Sequence, residues 1–112
     1  MVINEQSIRE ACNHLADVLV QKNHDYGNSV EEQFRDYGDT SINLRLEDKL
    51  RRLKNLSKKS AQVNEKKSET VLDAAGYSLL AYILYSFKET QDSIIEDEPL
   101  PVIRYSDQDD QY

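Results

Sequence analysis

Apolar positions along the chain recur at three- and four-residue spacing, the period of an amphipathic helix, and strand-like alternation is hard to find. Ile8, Cys12, Leu15 and Leu19 share one face of a first helix over 5–22, for which Ser7 offers an N-cap. The stretch 22–29 is rich in turn formers and reads as a break. Val30, Phe34 and Tyr37 give a short helix over 30–37, ended by Gly38–Ser41, which also offers a cap for the next helix. Ile42, Leu46, Leu50, Leu53 and Leu56 form the most regular stripe, a helix over 42–57. A polar, lysine-rich connector follows at 58–67. Ser68 is the expected N-cap of a long helix from Glu69 to about Glu89, whose main stripe is Leu72, Ala75, Leu79, Tyr82, Ile83 and Ser86. Leu80, Leu84 and Phe87 widen its apolar surface beyond one stripe, so this helix is either central to the domain or part of a subunit contact. The fold class read from this pattern is all-α, with about four helices.

Composition agrees. The 112 residues are enough for one domain and a modest core, and with 3 Gly and 2 Pro the chain carries few helix breakers. The sequence predicts no bilayer-spanning apolar run and no signal peptide, since Met1–Glu5 lacks a basic region followed by an apolar one. Cys12 is the only cysteine, so no internal disulfide forms; it is expected as a small core residue, and a reducing, cytoplasmic setting is expected (the host cytoplasm if the protein is viral).

Charge changes the picture locally. The net charge is -7, yet six acids stand against the single base Arg104 from Glu96 onward, so most of the acidity belongs to a C-terminal tail. Both prolines, Pro99 and Pro101, lie in that tail and favour an extended segment. Segment 45–67 is the opposite, with nine Lys and Arg against three acids. A basic zone inside an acidic protein points to local anion binding and makes no strong case for nucleic acid.

The candidate chemistry lies beside that zone. Glu69 and Asp73 are four residues apart and project from one helix face. Asp73 is flanked by Leu72 and Ala74, close to the core boundary, and a carboxylate there needs a partner. That partner is either a base on the preceding helix, Lys49 or Arg52, or a Mg²⁺ ion, which takes oxygen ligands and keeps waters for substrate phosphate. Glu47 and Asp48 are adjacent and point about 100° apart, so only one of them faces Asp73; Asp48 is the choice and Glu47 the reserve. The stretch Lys22–Gly27 holds a base, an imidazole, an acid and an aromatic ring. Tyr26 with Gly27 is either a packed ring before a positive-φ cap or a shelf for a nucleobase. His14 and His24 make no zinc site, and no nucleophilic serine elbow, cysteine–histidine pair or P-loop pattern is present.

At these residues the chain resembles the phage-associated nucleotide modification associated domain type 1 family. The resemblance rests on Lys22 with Asp25, Tyr26 and Gly27; on Asp48, Lys49, Leu50, Arg52, Leu53, Asn55 and Leu56; and on Glu69, Thr70, Leu72, Asp73, Ala75, Gly76 and Tyr77. That family is similar to the MazG-like, all-α nucleoside triphosphate pyrophosphatases. The resemblance implies a small helical bundle, usually oligomeric, cleaving a nucleotide between its α and β phosphates; with the acidic tail read from composition over 96–112, the helical domain is 1–95. Carried onto this sequence, it implies Mg²⁺ at Asp48, Glu69 and Asp73, phosphate contacts from Lys49 and Arg52, base or sugar contacts from Asp25 and Tyr26, substrate binding by Lys22, and Glu47 as general base. The chain departs from the superfamily's acid spacing: Arg51 stands where a further acid is expected, and Glu69 and Asp73 are four apart rather than three. The alternative reading is a non-catalytic viral interaction protein that sequesters a nucleotide or binds and inhibits a host protein, docking through Leu100, Val102, Ile103 and Tyr105 of the tail.

Overall fold

The computed structural model describes residues 1–26, 28–58 and 65–97. Four helices account for nearly all of them: α1 (Glu5–Tyr26), α2 (Ser29–Tyr37), α3 (Asp39–Leu56) and α4 (Lys67–Asp97). No strand occurs among the described residues. The all-α reading therefore holds, while the tail beyond Asp97 lies outside the described residues.

Several boundaries differ from the sequence expectation, each for a local reason. Asn4, not Ser7, caps α1. The Ser7 backbone N–H donates to Asn4 Oδ1 at 2.9 Å, and the Asn4 N–H donates to Ser7 Oγ at 3.0 Å. This is a reciprocal capping box with Ser7 in its third helical position. The expected break at 22–29 is largely helix: α1 runs on to Tyr26, supported by Gln21 Nε2 donating to Asp25 Oδ1 at 3.1 Å one turn away. Ser68 lies inside α4, where the Glu69 N–H bonds back to the Lys66 carbonyl at 3.0 Å. At its other end α4 passes Glu89 and reaches Asp97, because nothing before Pro99 disfavours helix.

Gly38 ends α2 and starts α3. Its φ of 64° is in the left-handed region, which other residues rarely adopt, and its N–H donates to the Phe34 carbonyl at 2.8 Å. A Cβ at Gly38 would meet nothing within 4 Å, so the requirement is conformational, not one of space. The corner is pinned by Ser41 Oγ, which donates to the Gly38 carbonyl at 2.8 Å, and by the Phe34 and Tyr85 rings, packed edge to face at 5.4 Å.

α4 is the central element, with α3 and α1 packed on it and α2 on α3. Both neighbours run antiparallel to α4: Asp39 bonds Tyr85 while Lys49 meets Asp73, and Leu19 meets Gly76 while Lys22 reaches Asp73. Ile42 and Ala81 are the fully buried apolar residues among those described, between α3 and α4. The inward face of α4 is Leu72, Gly76, Leu80, Ala81, Leu84 and Tyr85. Leu79, Tyr82 and Ile83, expected inside, are exposed. Cys12 is also exposed, because α1 meets α4 through its second half, at Leu15, Leu19 and Lys22. By length and composition alone Lys67–Ser93 is apolar enough to cross a bilayer, against the expectation from sequence; within that span Asp73 is ion-paired to both neighbouring helices.

Candidate functional site: a basic cleft between three helices

On α3, Arg45, Lys49 and Arg52 are spaced four and three apart and so share one face. That face meets Asp73 and Tyr77 of α4, themselves four apart, and α1 brings Lys22 from the other side. Lys22 Nζ donates to Asp73 Oδ1 at 3.3 Å, and Lys49 Nζ stands 3.4 Å from Asp73 Oδ2. Each oxygen of one carboxylate thus faces an ammonium from a different helix. Asp73 is 31% exposed and Lys49 only 13%, so solvent screens their pair less than a pair on an open surface.

The cations continue along α3. Arg45 Cζ lies 5.1 Å and Lys49 Nζ 6.0 Å from the centre of the Tyr77 ring, within cation–π range. Gln33 of α2 accepts from Arg45 Nε at 3.1 Å and so holds the guanidinium from the other side. Arg52 Nη1 is 3.6 Å from Glu65 Oε1, and the Thr70 hydroxyl donates to that same carboxylate. Lys22, Arg45, Lys49 and Arg52 therefore stand against Asp73, Glu65 and Asp48, a small excess of positive charge beside the cleft. A cavity of about 160 Å³ opens alongside, reached by Lys22, Arg45, Asp73 and Tyr77 at its polar end.

The residues singled out in the sequence separate into two groups. Lys22, Lys49 and Asp73 meet directly, with Arg52 one turn further along α3. Of the two bases expected to partner Asp73, it is Lys49 that does so. The others stand elsewhere. Glu47 pairs with Arg51 on the outer face of α3. Asp48 faces Arg52 at 3.9 Å. Glu69 is exposed on the first turn of α4. Asp25 accepts from Gln21 and lies 3.3 Å from His24 Nδ1, and the Tyr26 side chain lies outside the described residues.

Asp48, Glu69 and Asp73 do not form one oxygen set, and no group of three Asp, Glu, His or Cys suited to a metal occurs among the described residues. The physical reason is competition: lysine ammonium groups already face both Asp73 oxygens, where a cation would have to displace them. The arrangement in this chain does not fit Mg²⁺ held by those three acids. Sequence reasoning missed Arg45 and Tyr77 as site residues. The signal was present, since Arg45 is one turn before Lys49 and Tyr77 one turn after Asp73.

Fold and site together define a small all-α protein with a basic interhelical cleft. The chain matches the family described as Nucleotide modification associated domain 1 over residues 22–84, more than half its length, and belongs to that family. No curated protein and no solved structure matches the chain.

Proposed function

We propose that the cleft binds a nucleotide through its phosphates. The observation that carries this reading is the convergence of Lys22 and Lys49, from two helices, on one carboxylate beside an open cavity. Asp73 stands where an anionic ligand oxygen would be received and keeps the two ammonium groups together in its absence. Arg45 and Arg52 extend the cationic line for further phosphate oxygens. The family's description, concerned with nucleotide modification, points the same way.

Calorimetric titration of the full chain with nucleoside triphosphates and inorganic triphosphate tests this. Binding that weakens about tenfold or more in Lys22→Ala and Lys49→Ala, and that falls with added salt, is the expected result. Absence of binding at millimolar ligand sinks it.

Hydrolysis to monophosphate and pyrophosphate, implied by the resemblance to MazG-like enzymes of phage type, is the finer proposal. Within one chain Asp48, Glu69 and Asp73, the expected metal ligands, stand apart. The same nucleotides incubated with Mg²⁺ and assayed for pyrophosphate decide it. The interaction-protein alternative rests on tail residues 98–112, which lie outside the described residues.

We also propose self-association through α4. Tyr82, Ile83 and Phe87 are 69%, 54% and 67% exposed and lie on one side of a helix that carries no charged residue from Ala74 to Phe87. A buried aromatic side chain covers about 150–250 Å², so these residues with Leu79 supply a large part of the roughly 800 Å² per partner of a stable interface. A second copy suits the face because Ile42 and Ala81 leave each chain with a small apolar core that needs cover in every copy.

A further inference from the structure

The cavity beside the lysines has a size and lining that phosphate binding alone does not require. Its volume is about 160 Å³. Leu15, Val18 and Leu19 of α1, Val30 of α2 and Leu72 and Leu80 of α4 form apolar walls. Its floor is closed at the α1–α4 crossing, where a Cβ added to Gly76 would come within 3.0 Å of Leu19 Cδ2. Lys22, Arg45 and Asp73 mark the charged end.

An apolar cavity of about 150 Å³ holds one benzene ring. The walled part of this partly open space is therefore about the size of one six-membered ring, and the second ring of a purine would lie outside the apolar walls. Arg45 and Lys49 lie over the Tyr77 ring, so the face they cover is not free to stack a protruding base. Asn23 and Ser29 also line it and add an amide and a hydroxyl to its residues. Between them they offer donors and acceptors to a base edge, and the amide serves the carbonyl and amino patterns of uracil, thymine and cytosine alike.

Resting on the nucleotide reading above, we infer that the site selects pyrimidine over purine nucleotides, with the single ring in the cavity between α1, α2 and α4 and the phosphates toward Lys22 and Lys49. The apolar walls supply base affinity, and the preference follows because they cover a single ring and leave a second one without cover.

The test is calorimetric titration of the full chain, at one salt concentration, with UTP, CTP, dTTP, ATP, GTP and inorganic triphosphate. Each pyrimidine nucleotide is expected to bind about tenfold or more tighter than either purine, and tighter than inorganic triphosphate. Equal affinity across the whole series overturns the base selection and leaves the phosphate cleft standing. A purine preference overturns it in the same way. No binding of any member, inorganic triphosphate included, overturns the cleft itself and the inference with it. Val18→Ala, and Val30→Ala should the first fail to fold, widen the wall, and either is expected to narrow the pyrimidine-to-purine ratio. An unchanged ratio in a variant with native helical content overturns the placement of the base.

Discussion

Lys49 Nζ lies 3.4 Å from Asp73 Oδ2, joining α3 to α4 at the level where Lys22 of α1 reaches the other oxygen of the same carboxylate. One acid thus holds two bases that would otherwise repel each other. The arrangement gives Asp73→Asn a diagnostic sign. With the carboxylate removed, Lys22 and Lys49 keep their charge and lose their anion. Stability is expected to fall by about 1 kcal/mol, and affinity for inorganic triphosphate or a nucleotide is expected to rise. Were Asp73 instead a required metal ligand, the same substitution would abolish Mg²⁺-dependent binding. Titration of wild type and variant, with and without Mg²⁺, separates these outcomes, and weaker binding in Asp73→Asn without Mg²⁺ would count against the cleft as described.

How much of this was legible in the sequence depended on whether a pattern had contrast. The order of helices follows from apolar spacing, and so does the α3 stripe except at Leu50, which is exposed, because α3 alternates leucines with charges and so has a clear outer face. α4 has no such contrast. From Ala74 to Phe87 it is uncharged, and its periodicity could not say which side met α3 and α1. Spacing alone therefore puts Leu79, Tyr82 and Ile83 inward, although they face out. In the site, Lys49 was foreseen as one of two possible partners for Asp73 because it lies on the neighbouring helix. That Lys22 joins them was not, since 51 residues separate it from Asp73 and only the packing of α1 brings it in. The three acids of the expected metal set stand apart for a related reason. Position along two helices groups the acids, while Arg51, Arg52 and the two lysines, equally visible in the sequence, are nearer partners for Glu47, Asp48 and Asp73.

Gly76 marks the closest approach of α1 to α4. A Cβ there would stand 3.0 Å from Leu19 Cδ2, with the next contacts at 3.8 Å. In Gly76→Ala the end of the Leu19 side chain has to yield by a few tenths of an ångström, while the helix gains about 1 kcal/mol from replacing glycine. The net change in stability is expected to stay within about 1 kcal/mol. Gly76→Leu cannot be absorbed this way and pushes α1 off α4, with a loss of about 2 kcal/mol or more. Thermal melts of the two variants check the contrast. Equal melting temperatures for both would show that the approach of the helices is not tight.

Asn4→Ala removes the acceptor for the Ser7 N–H and breaks the capping box of α1. A loss of about 1 kcal/mol is expected, with Asn4→Asp retaining most of the stability because its carboxylate accepts the same bond at a helix N-terminus. Ser7→Ala removes the contact from the Asn4 N–H to Ser7 Oγ and the donation from Ser7 Oγ to the Asn4 carbonyl, but leaves the Asn4 side-chain cap in place, and should cost less. Chemical denaturation of the three variants orders them. A larger loss from Ser7→Ala than from Asn4→Ala would restore Ser7 as the capping residue.

The exposed side of α4 makes the final prediction. Tyr82, Ile83 and Phe87 project from a helix of 31 residues that carries the packing of the whole fold. If a second copy covers this face, sedimentation at micromolar concentration gives a species of at least twice the 13.0 kDa chain mass. Ile83→Glu places a charge at the centre of the contact, where burial without a partner is costly, and is expected to shift the chain to monomer. The monomer should also melt at lower temperature, because Ile42 and Ala81 alone provide a fully buried apolar centre among the described residues. The Lys22–Asp73–Lys49 cluster is built from side chains of one chain, so folded Ile83→Glu protein should retain triphosphate binding. Wild type sedimenting as a clean monomer removes the assembly proposal outright. A monomeric variant that stays folded but loses triphosphate affinity would move part of the binding site into the subunit contact, against the single-chain cleft argued here.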